Sequence, residues 1–300
     1  NPVAVAKEVQ ASGLTHSFDF PLYYALIESI CEGKDLRKIA AVLTQDRHYP
    51  AHHQWITFLD NHDTPRVATS CGDKTKTAFT LLTSMRGIPS ITWGTEVGLT
   101  GKTESEARSD MRFEDHPMVP FLARLLDDRR AYSPLTDGKT DILKATDTEL
   151  VLARVMPSEA VIISIGGSGQ PVLPKEADAA HWINIESEGM QRWLITPKEG
   201  NGFQAWFERI QADESSTSDI SINMAGTDYL SGSDVALGAW DPQSAVGPGQ
   251  VTVALPRGGV VAVKRLKRTG EGTVVWSAHP DHFIDVDAAT ILDEPVKLGR

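Results

Sequence analysis

The sequence predicts an α/β region followed by all-β structure. Apolar patterns of helical period alternate with short buried strands up to about residue 135. After Gly138, short β-rich runs recur between clusters of Gly, Pro, Ser and Asp, as antiparallel β domains require. We therefore expect part of a β/α domain, followed by one or two β domains.

The α/β region contains two predicted strands. A helix begins at Pro21 and ends near Gly33, because proline fits a first helical turn and glycine fits the position just past a helix end. The apolar runs 55–59 and 88–93 predict buried strands, and a helix over 74–85 lies between them. This spacing is typical of a βαβ unit. Further helices are predicted over 35–43 and 118–132.

The β region is predicted from runs rich in β-branched and aromatic residues. These runs are 150–155, 160–165, 182–185, 251–255, 260–264 and 273–276. The polar, acidic stretch 211–219 predicts a loop or linker instead.

Composition narrows the classes of partner. The 300 residues contain 41% hydrophobic residues, enough for a sizeable core and more than one domain. Since 40 acidic residues against 29 basic ones give a net charge of −11, neither a nucleic acid nor an anionic membrane is expected as a partner. No apolar run approaches the roughly 20 residues that a membrane span needs. A neutral, polar ligand is compatible with this balance.

Two sequence features leave the cellular compartment open. Cys31 and Cys71 cannot make a disulfide framework, although one bond between them is possible. The chain begins with Asn1 and shows no signal peptide, so its natural start is not fixed by the sequence.

The densest polar cluster, Asp60–Arg66 (DNHDTPR), follows the first predicted strand. Active sites of β/α barrels form at the C-terminal ends of strands. A His62–Asp63 pair with an arginine close behind could therefore bind hydroxyls and stabilise positive charge. Alternatively, the cluster is a polar loop in which Asp60 or Asp63 caps the next helix.

Three segments, taken in order, resemble the α-amylase family of glycoside hydrolases. They are Phe58–Arg66 (FLDNHDTPR), Arg86–Glu96 (RGIPSITWGTE) and Arg108–Phe113 (RSDMRF). Upstream, Phe18–Leu26 is similar to the sixth barrel strand and its helix, and Phe121–Gly138 is similar to the exit helix. The resemblance implies the C-terminal part of a TIM (β/α)8 barrel over residues 1–138 and an amylase C-terminal β domain over 139–203.

The same resemblance implies roles for individual residues. His62 would hydrogen-bond hydroxyls of the reacting sugar ring. Asp63 would be the third catalytic carboxylate, which distorts that ring and stabilises its oxocarbenium-like transition state. Arg66 would belong to the substrate-binding site, and both Arg66 and Glu96 would act as braces and not as catalysts. No residue of this chain is expected to bind a metal.

A retaining glycosidase also needs a carboxylate nucleophile and a carboxylic general acid. In the family these are an Asp and a Glu on the fourth and fifth strands, both before the segment at Phe18. Only Glu8 precedes that segment, within a stretch similar to the helix after strand five. We therefore expect that these residues are the C-terminal part of a longer enzyme, whose N-terminal half completes the barrel; the alternative is that another chain completes it. In either case the 300 residues alone are expected to be inactive. No cofactor is expected here, and a structural calcium would lie in the missing part.

The C-terminal segments are similar to the family 20 starch-binding module, a small β-sandwich. They are Ser231–Pro242 (SGSDVALGAWDP), Val253–Lys264 (VALPRGGVVAVK) and Gly272–Asp281 (GTVVWSAHPD), within a predicted domain over 204–300. By this resemblance Trp240 and Trp276 form a platform for glucose rings. Lys264 and Asp281 would bind the sugar hydroxyls.

Two alternatives for this region stay open. Both tryptophans could belong to a β-sandwich core, and residues 251–263 also resemble the last strands of an amylase C-terminal domain. The chain departs from the module's pattern by having Gly249-Gln250 where a tryptophan is common, and Asp281 where asparagine is usual. A second binding site is not recognisable, so one sugar site is expected.

The function implied is hydrolysis of internal α-1,4 bonds of starch, glycogen or maltooligosaccharides by retaining double displacement. One alternative is a glucanotransferase of the same family, and another is a non-catalytic starch-binding protein. His62 and Asp63 are both present, which speaks against the last. A starch-binding module directly after the C-terminal β domain favours the hydrolase, and granule binding implies an extracellular location.

Overall fold

The computed structural model describes residues 1–49, 54–198, 202–224, 228–269, 273–278, 281–292 and 296–297. The chain forms two compact units. The central unit contains residues 15–39 and 51–210, and the terminal unit contains residues 1–14, 40–50 and 211–300. Within the described residues, no helix combines the length and apolarity needed to cross a bilayer.

Helices in the described residues are α1 (Pro2–Ser12), α2 (Phe20–Leu26), α3 (Arg37–Thr44), α4 (Val67–Cys71), α5 (Thr75–Ser84), α6 (Glu104–Ala107), α7 (Met118–Ala131), α8 (Ser133–Asp137), α9 (Gln204–Glu214) and α10 (Val286–Leu292). Strands are β1 (Ile56–Thr57), β2 (Ile88–Pro89), β3 (Lys139–Ala145), β4 (Leu150–Val155), β5 (Ala160–Ile165), β6 (Ala180–Ile185), β7 (Gln191–Pro197), β8 (Thr217–Asn223), β9 (Tyr229–Gly232), β10 (Gln250–Pro256), β11 (Val260–Arg268), β12 (Val274–Trp276), β13 (His282–Asp285) and β14 (Val296–Lys297).

The central unit begins with three parallel segments. Strand β1 pairs in parallel with β2, and Phe18 forms a parallel bridge with Ile56. The Asp19 N–H donates to the Ile56 carbonyl at 2.9 Å, and the Ile88 N–H donates to the Trp55 carbonyl at 2.8 Å. Both predicted strands are present but shorter than expected. Neighbouring parallel segments in chain order, with helices between them, are the arrangement of consecutive barrel strands.

Buried contacts fix the helices around these segments. Asp19 accepts a hydrogen bond from the Leu22 N–H at 3.0 Å at the start of α2, and its carboxylate pairs with the fully buried Arg86 guanidinium before β2. A π-helical turn extends α2, and a disulfide between Cys31 at its end and Cys71 at the end of α4 joins the two helices. The bond that the sequence left open is therefore formed.

An antiparallel sheet completes the central unit, with strand order β3-β4-β5-β7-β6. Strands β4 and β5 have the predicted bounds and are buried throughout. The unit continues to Ile210, past the predicted domain end at 203, because Trp206 and Ile210 of α9 pack into the core of this sheet. The Trp206 indole N–H also donates to Asp141 on β3 at 2.6 Å.

The terminal unit contains two sheets with a shared core. One sheet has the order β10-β8-β14, and in the other β11 pairs with β9, β12 and β13. Buried side chains of both sheets, and of the segments next to their strands, form one cluster: Ile220, Ile222, Met224, Leu230, Leu237, Val253, Leu255, Val261, Val263, Ile284 and Val286.

The loop or linker predicted over 211–219 is instead the end of α9 followed by the start of β8. The start of β8 was predicted as a loop because its residues are polar and form a strand only by pairing with β10. The register runs from Thr217 opposite Pro256 to Asn223 opposite Gln250. Only Ile220 and Ile222 of β8 are buried.

Residues 1–14 and 40–50 lie with the terminal unit, not with the predicted barrel domain 1–138. The Val260 N–H donates to the Thr44 hydroxyl at 2.9 Å. Arg47 donates to the carbonyls of Ser216, Asp213 and Arg257 at 3.2–3.3 Å. Backbone carbonyls of the β strands and loops thus hold this segment.

Candidate functional site

The two aspartates of the polar cluster have different environments. Asp60 is buried, and its Oδ2 accepts the Val67 N–H at the start of α4 at 2.9 Å. The Thr95 hydroxyl donates to the same carboxylate at 3.1 Å, and the Thr92 hydroxyl donates to the Asp60 carbonyl at 2.8 Å. Burial raises the pKa of Asp60. Asp60 therefore ties the end of β1 to α4 and to the loop after β2.

Asp63, in contrast, is exposed, with 55% of its side chain accessible to solvent. Its N–H donates to Asn61 Oδ1 at 2.8 Å, which fixes the turn. Arg108 Nη2 donates to Asp63 Oδ1 at 2.7 Å, and His62 Nε2 lies 3.2 Å from Asp63 Oδ2. The structure thus brings the predicted His62 and Asp63 side chains together at the C-terminal end of β1.

Arg108 is a residue of this site to which the sequence analysis gave no role. Its Nε donates to the His62 carbonyl at 3.2 Å, and it also pairs with Glu104 at 2.6 Å. Helix α6 positions it, because Thr103 and Glu106 form a capping box at the start of that helix. The capping pattern and the RSDMRF segment were the signals in the sequence.

Arg66 differs from its prediction as a substrate-binding residue. Its side chain is fully buried, with Nε donating to the Ala107 carbonyl and Nη1 to the Trp93 carbonyl, both at 2.8 Å. Its guanidinium lies 4.7 Å from the centroid of the Trp93 ring. A buried guanidinium bound to backbone cannot reach a sugar, so Arg66 holds the loop after β2, as the brace reading expects.

Aromatic residues lie beneath the His62–Asp63 loop. The Tyr23 ring stacks on Phe58 with centroids 4.9 Å apart and an interplanar angle of 9°. Burial raises the pKa of Tyr23, while a hydrogen bond with Thr64 lowers it. The Asn61 N–H donates to the Thr64 hydroxyl at 2.9 Å. The loop is thereby fixed to the helix that follows Phe18.

Glu96 lines a pocket of about 450 Å³ in the loops after β2. Met111, Arg112, Phe113 and Glu114 also line it. Phe113 is 93% exposed, so this pocket is open to solvent. Among the described residues, no hydrogen bond joins Glu96 to Asp63.

In the terminal unit, Trp240 and Trp276 lie close together. Their ring centroids are 6.5 Å apart, with an interplanar angle of 52°. Trp276 on β12 is 37% exposed, and neither ring belongs to the buried core shared by the two sheets. The arrangement is that of a surface pair and not of two core residues.

Lys264 and Asp281 also lie together, with Nζ 3.4 Å from Oδ1. In the β11 register, Leu266 lies opposite Trp276, and Lys264 lies on the same face because side chains alternate along a strand. The pair is therefore on the face of the sheet that carries Trp276. Gly272, His279 and Pro280 of the predicted module segment lie outside the described residues.

The backbone at Trp240 is unusual. Ala239 has φ 47° and Trp240 has φ 67°, the left-handed region that side chains with a Cβ disfavour. The Ala239 N–H donates to the Asp234 carbonyl at 2.9 Å, and the Trp240 N–H donates to the Gly232 carbonyl at 2.8 Å. Such residues cost on the order of 1–3 kcal/mol each and persist only where their surroundings impose them.

Across the ranges that the structure describes, no group of three or more His, Cys, Asp and Glu side chains could hold a metal ion.

Comparison with known proteins identifies one family model, the α-amylase catalytic domain, which matches residues 16–131. A cyclomaltodextrinase from Geobacillus thermopakistaniensis is 30% identical over 164 residues, covering 52% of this chain and 26% of that protein. An α-amylase from Streptomyces lividans is 27% identical over 289 residues, covering 88% of this chain and 28% of that protein. The chain spans less than a third of the length of these curated relatives.

Among solved structures, an Anoxybacillus α-amylase superposes with a TM-score of 0.54 at 21% identity, covering 67% of this chain and 51% of that one. This likeness shows a shared fold, and with the parallel segments and antiparallel sheets it supports a partial TIM barrel plus a β domain. Other relatives include cyclomaltodextrin glucanotransferases. Residues 16–131 thus match the catalytic domain of the α-amylase family, and the chain's relatives are amylases, cyclomaltodextrinases and cyclomaltodextrin glucanotransferases.

Proposed function

We propose that the central unit contributes part of the active site of an α-amylase-type glycoside hydrolase that cleaves internal α-1,4 bonds of α-glucans. The observation that carries this proposal is the exposed Asp63 carboxylate, which follows β1 inside the matched segment and is held between Arg108 and His62. Starch, glycogen and maltooligosaccharides are the proposed substrates.

In the proposed reaction, Asp63 is a catalytic residue and His62 binds a hydroxyl of the same ring. A carboxylate already fixed near the anomeric carbon stabilises the positive charge that develops there, since it needs no reorganisation during the reaction. Arg108 fixes the Asp63 carboxylate by its 2.7 Å hydrogen bond. Asp60 and Arg66 act indirectly, by holding the backbone on either side.

Retaining double displacement requires two further carboxylates, a nucleophile and a general acid. We propose that both, together with any structural calcium, lie in an N-terminal half of the barrel outside residues 1–300. The 300 residues alone are therefore expected to be inactive.

Intact mass of the naturally produced protein and activity on maltoheptaose test this proposal together. A mass well above 32.7 kDa, with activity that falls about a thousandfold in Asp63→Asn, is expected. Lys102→Gln, an exposed change in the same unit, is the matched control and should retain activity. Hydrolysis by the isolated 300 residues would overturn the missing-carboxylate proposal.

A glucanotransferase is the second candidate, favoured by the relatives that carry that name. The two reactions differ in whether water or a sugar hydroxyl attacks the intermediate. Chromatography of products from maltoheptaose separates them, because a hydrolase yields shorter linear sugars whereas a transferase yields longer or cyclic ones.

For the terminal unit, we propose a family 20 starch-binding module. Trp240 and Trp276 offer apolar ring faces to glucose, and Lys264 and Asp281 lie on the adjoining surface to bind hydroxyls. Calorimetry with maltoheptaose should show at least tenfold weaker binding for Trp240→Ala and for Trp276→Ala. Unchanged binding in both variants would favour the alternative interpretation, in which residues 251–263 are the last strands of an amylase C-terminal domain.

Two accessory proposals follow. An extracellular location is favoured by the Cys31–Cys71 disulfide, because such bonds persist in oxidising compartments. If the mass of the natural protein is 32.7 kDa and no partner chain completes the barrel, a non-catalytic glucan-binding protein becomes the better account.

A further inference from the structure

Arg268, at the end of β11, is not among the residues that the starch-binding resemblance implies. Its Nη2 donates to the carbonyls of Pro242 at 2.8 Å, Gln243 at 2.9 Å and Ala245 at 3.4 Å. All three carbonyls belong to the loop that follows Trp240. One side chain therefore binds three of the four backbone carbonyls of residues 242–245.

Arg268 also joins the loop to the sheet. Its guanidinium lies 4.3 Å from the centroid of the Tyr229 ring on β9. In the β11 register, Leu266 lies opposite both Tyr229 and Trp276, and Arg268 follows on the same face two residues later. Arg268 thus lies on the face that carries the Trp276 ring, although it is outside the proposed sugar contacts.

The loop needs such a restraint because of the backbone at Ala239 and Trp240. Two successive left-handed residues other than glycine relax unless neighbouring contacts impose their conformation. The Trp240 N–H bond to the Gly232 carbonyl fixes the start of the turn, and Gly232 is required there because a Cβ would lie 2.6 Å from the Ala262 carbonyl oxygen. Arg268 fixes the other end.

We propose that Arg268 is a positioning residue for glucan binding: by holding residues 242–245, it keeps Trp240 in the orientation that places its ring beside Trp276. The inference rests on the proposed sugar site at these two tryptophans. Arg268 itself makes no contact with the sugar in this account.

Calorimetry of the 300-residue chain with maltoheptaose tests the proposal. Arg268→Ala should raise Kd about tenfold, because the loop loses its charge-assisted hydrogen bonds. Arg268→Lys keeps the charge but not the planar fork of the guanidinium, so its Kd should lie between those of the wild type and Arg268→Ala. Lys267→Ala is the matched control. The Lys267 side chain is 68% exposed, and its one ion pair among the described residues is with Asp228, at 3.8 Å. This variant should therefore bind maltoheptaose with the wild-type Kd.

A second readout separates positioning from general stability. Amide hydrogen exchange at Trp240 should accelerate in Arg268→Ala while Tm stays at the wild-type value. Should that variant fail to fold, Arg268→Lys provides the test, since it keeps the positive charge at the end of β11 but not the planar fork that binds the carbonyls of residues 242–245. Its Kd should rise about threefold.

Wild-type Kd in Arg268→Ala, with binding lost in Trp240→Ala, overturns the role of Arg268 and leaves the sugar site intact. Wild-type binding in Trp240→Ala overturns the sugar site and, with it, this inference. A higher Kd in Arg268→Ala, together with faster amide exchange at Trp240, supports both the sugar site and the positioning role of Arg268.

Discussion

The loop after β1 and the loop after β9 each carry a residue proposed to contact sugar, Asp63 and Trp240, but the contacts that hold the two loops differ. Buried groups support the His62–Asp63 loop from below: Asp60 binds α4 and Thr95, and the buried Arg66 guanidinium binds two backbone carbonyls. The Trp240 loop is held from the surface by the exposed Arg268. Rigidity thus comes from desolvated contacts in one unit and from solvent-facing contacts in the other.

This difference determines whether a mutation should change global stability or only local order. Removing a buried donor leaves desolvated acceptors without partners, which costs stability. Removing an exposed donor allows water to replace it, so the global fold persists and only local order is lost. Variants that remove support of the first loop should therefore lower the free energy of unfolding, whereas those of the second loop should raise the Kd for glucan.

The largest effect is expected for Arg66→Met. Methionine fills a similar volume but leaves the carbonyls of Ala107 and Trp93 without this donor, so the free energy of unfolding should fall by about 3 kcal/mol. Urea denaturation measures the change. Arg108→Met is the control, because that arginine is exposed and its loss should cost less than about 1 kcal/mol. Equal losses of unfolding free energy in Arg66→Met and Arg108→Met would mean that burial of the arginine does not determine its contribution to stability.

A smaller effect concerns pH and Asp60. Its pKa is raised in the folded state by burial, so its contribution to stability is present below the ordinary pKa of 3.8 and is lost as the pH rises through the folded value. Asp60→Asn does not titrate, and its amide has one acceptor oxygen for the Val67 N–H and the Thr95 hydroxyl, whereas the carboxylate has two. The variant should be less stable at pH 4 by about 1 kcal/mol, and its deficit should shrink by pH 7. Urea midpoints at both values test this; a deficit that widens towards pH 7 would mean that the pKa of Asp60 is lowered.

The half-buried His48 of the terminal unit should contribute to stability with the opposite pH dependence. Burial lowers the pKa of His48, opposed by Asp234 and assisted by Arg47 and Lys7. Because the unfolded chain takes up this proton first, stability is lost as the pH falls below the ordinary value of 6.5. His48→Gln should weaken that acid sensitivity by less than the Asp60 effect, since His48 is only half-buried. Thermal unfolding at pH 5 and pH 7.5 measures it, with the exposed His181→Gln as a variant that should change nothing.

Sequence patterns predicted some of these features and missed others for physical reasons. Strands β4 and β5 were predicted because continuous apolar runs need burial on both faces. Strand β8 was missed because its polar residues gain strand structure only by pairing with β10. The sequence could not decide which aspartate of the polar cluster would cap α4. That choice depends on Thr95, which lies on a different loop.

The arginines show the same limit. Burial of Arg66 follows from the positions of Trp93 and Ala107, and the role of Arg268 follows from a loop that folds back over β11. Neither position is encoded in local spacing. The pairing of Trp240 with Trp276, in contrast, could be expected because the motif that carries each residue was recognisable.

The smallest effect on stability is expected for Lys264→Met, and it sharpens the contrast between the loops. The Lys264–Asp281 pair is partly exposed at 3.4 Å, and such pairs contribute about 0.5 kcal/mol or less. Tm should therefore change little, whereas binding of maltoheptaose should weaken about threefold, because a charged donor to a sugar hydroxyl is lost. Asp281→Asn keeps the hydrogen-bonding shape and removes the charge, so it should bind as well as the wild type. A large fall in Tm for Lys264→Met would show that this pair supports the fold, and the division between buried support and surface recognition would then not hold in the terminal unit.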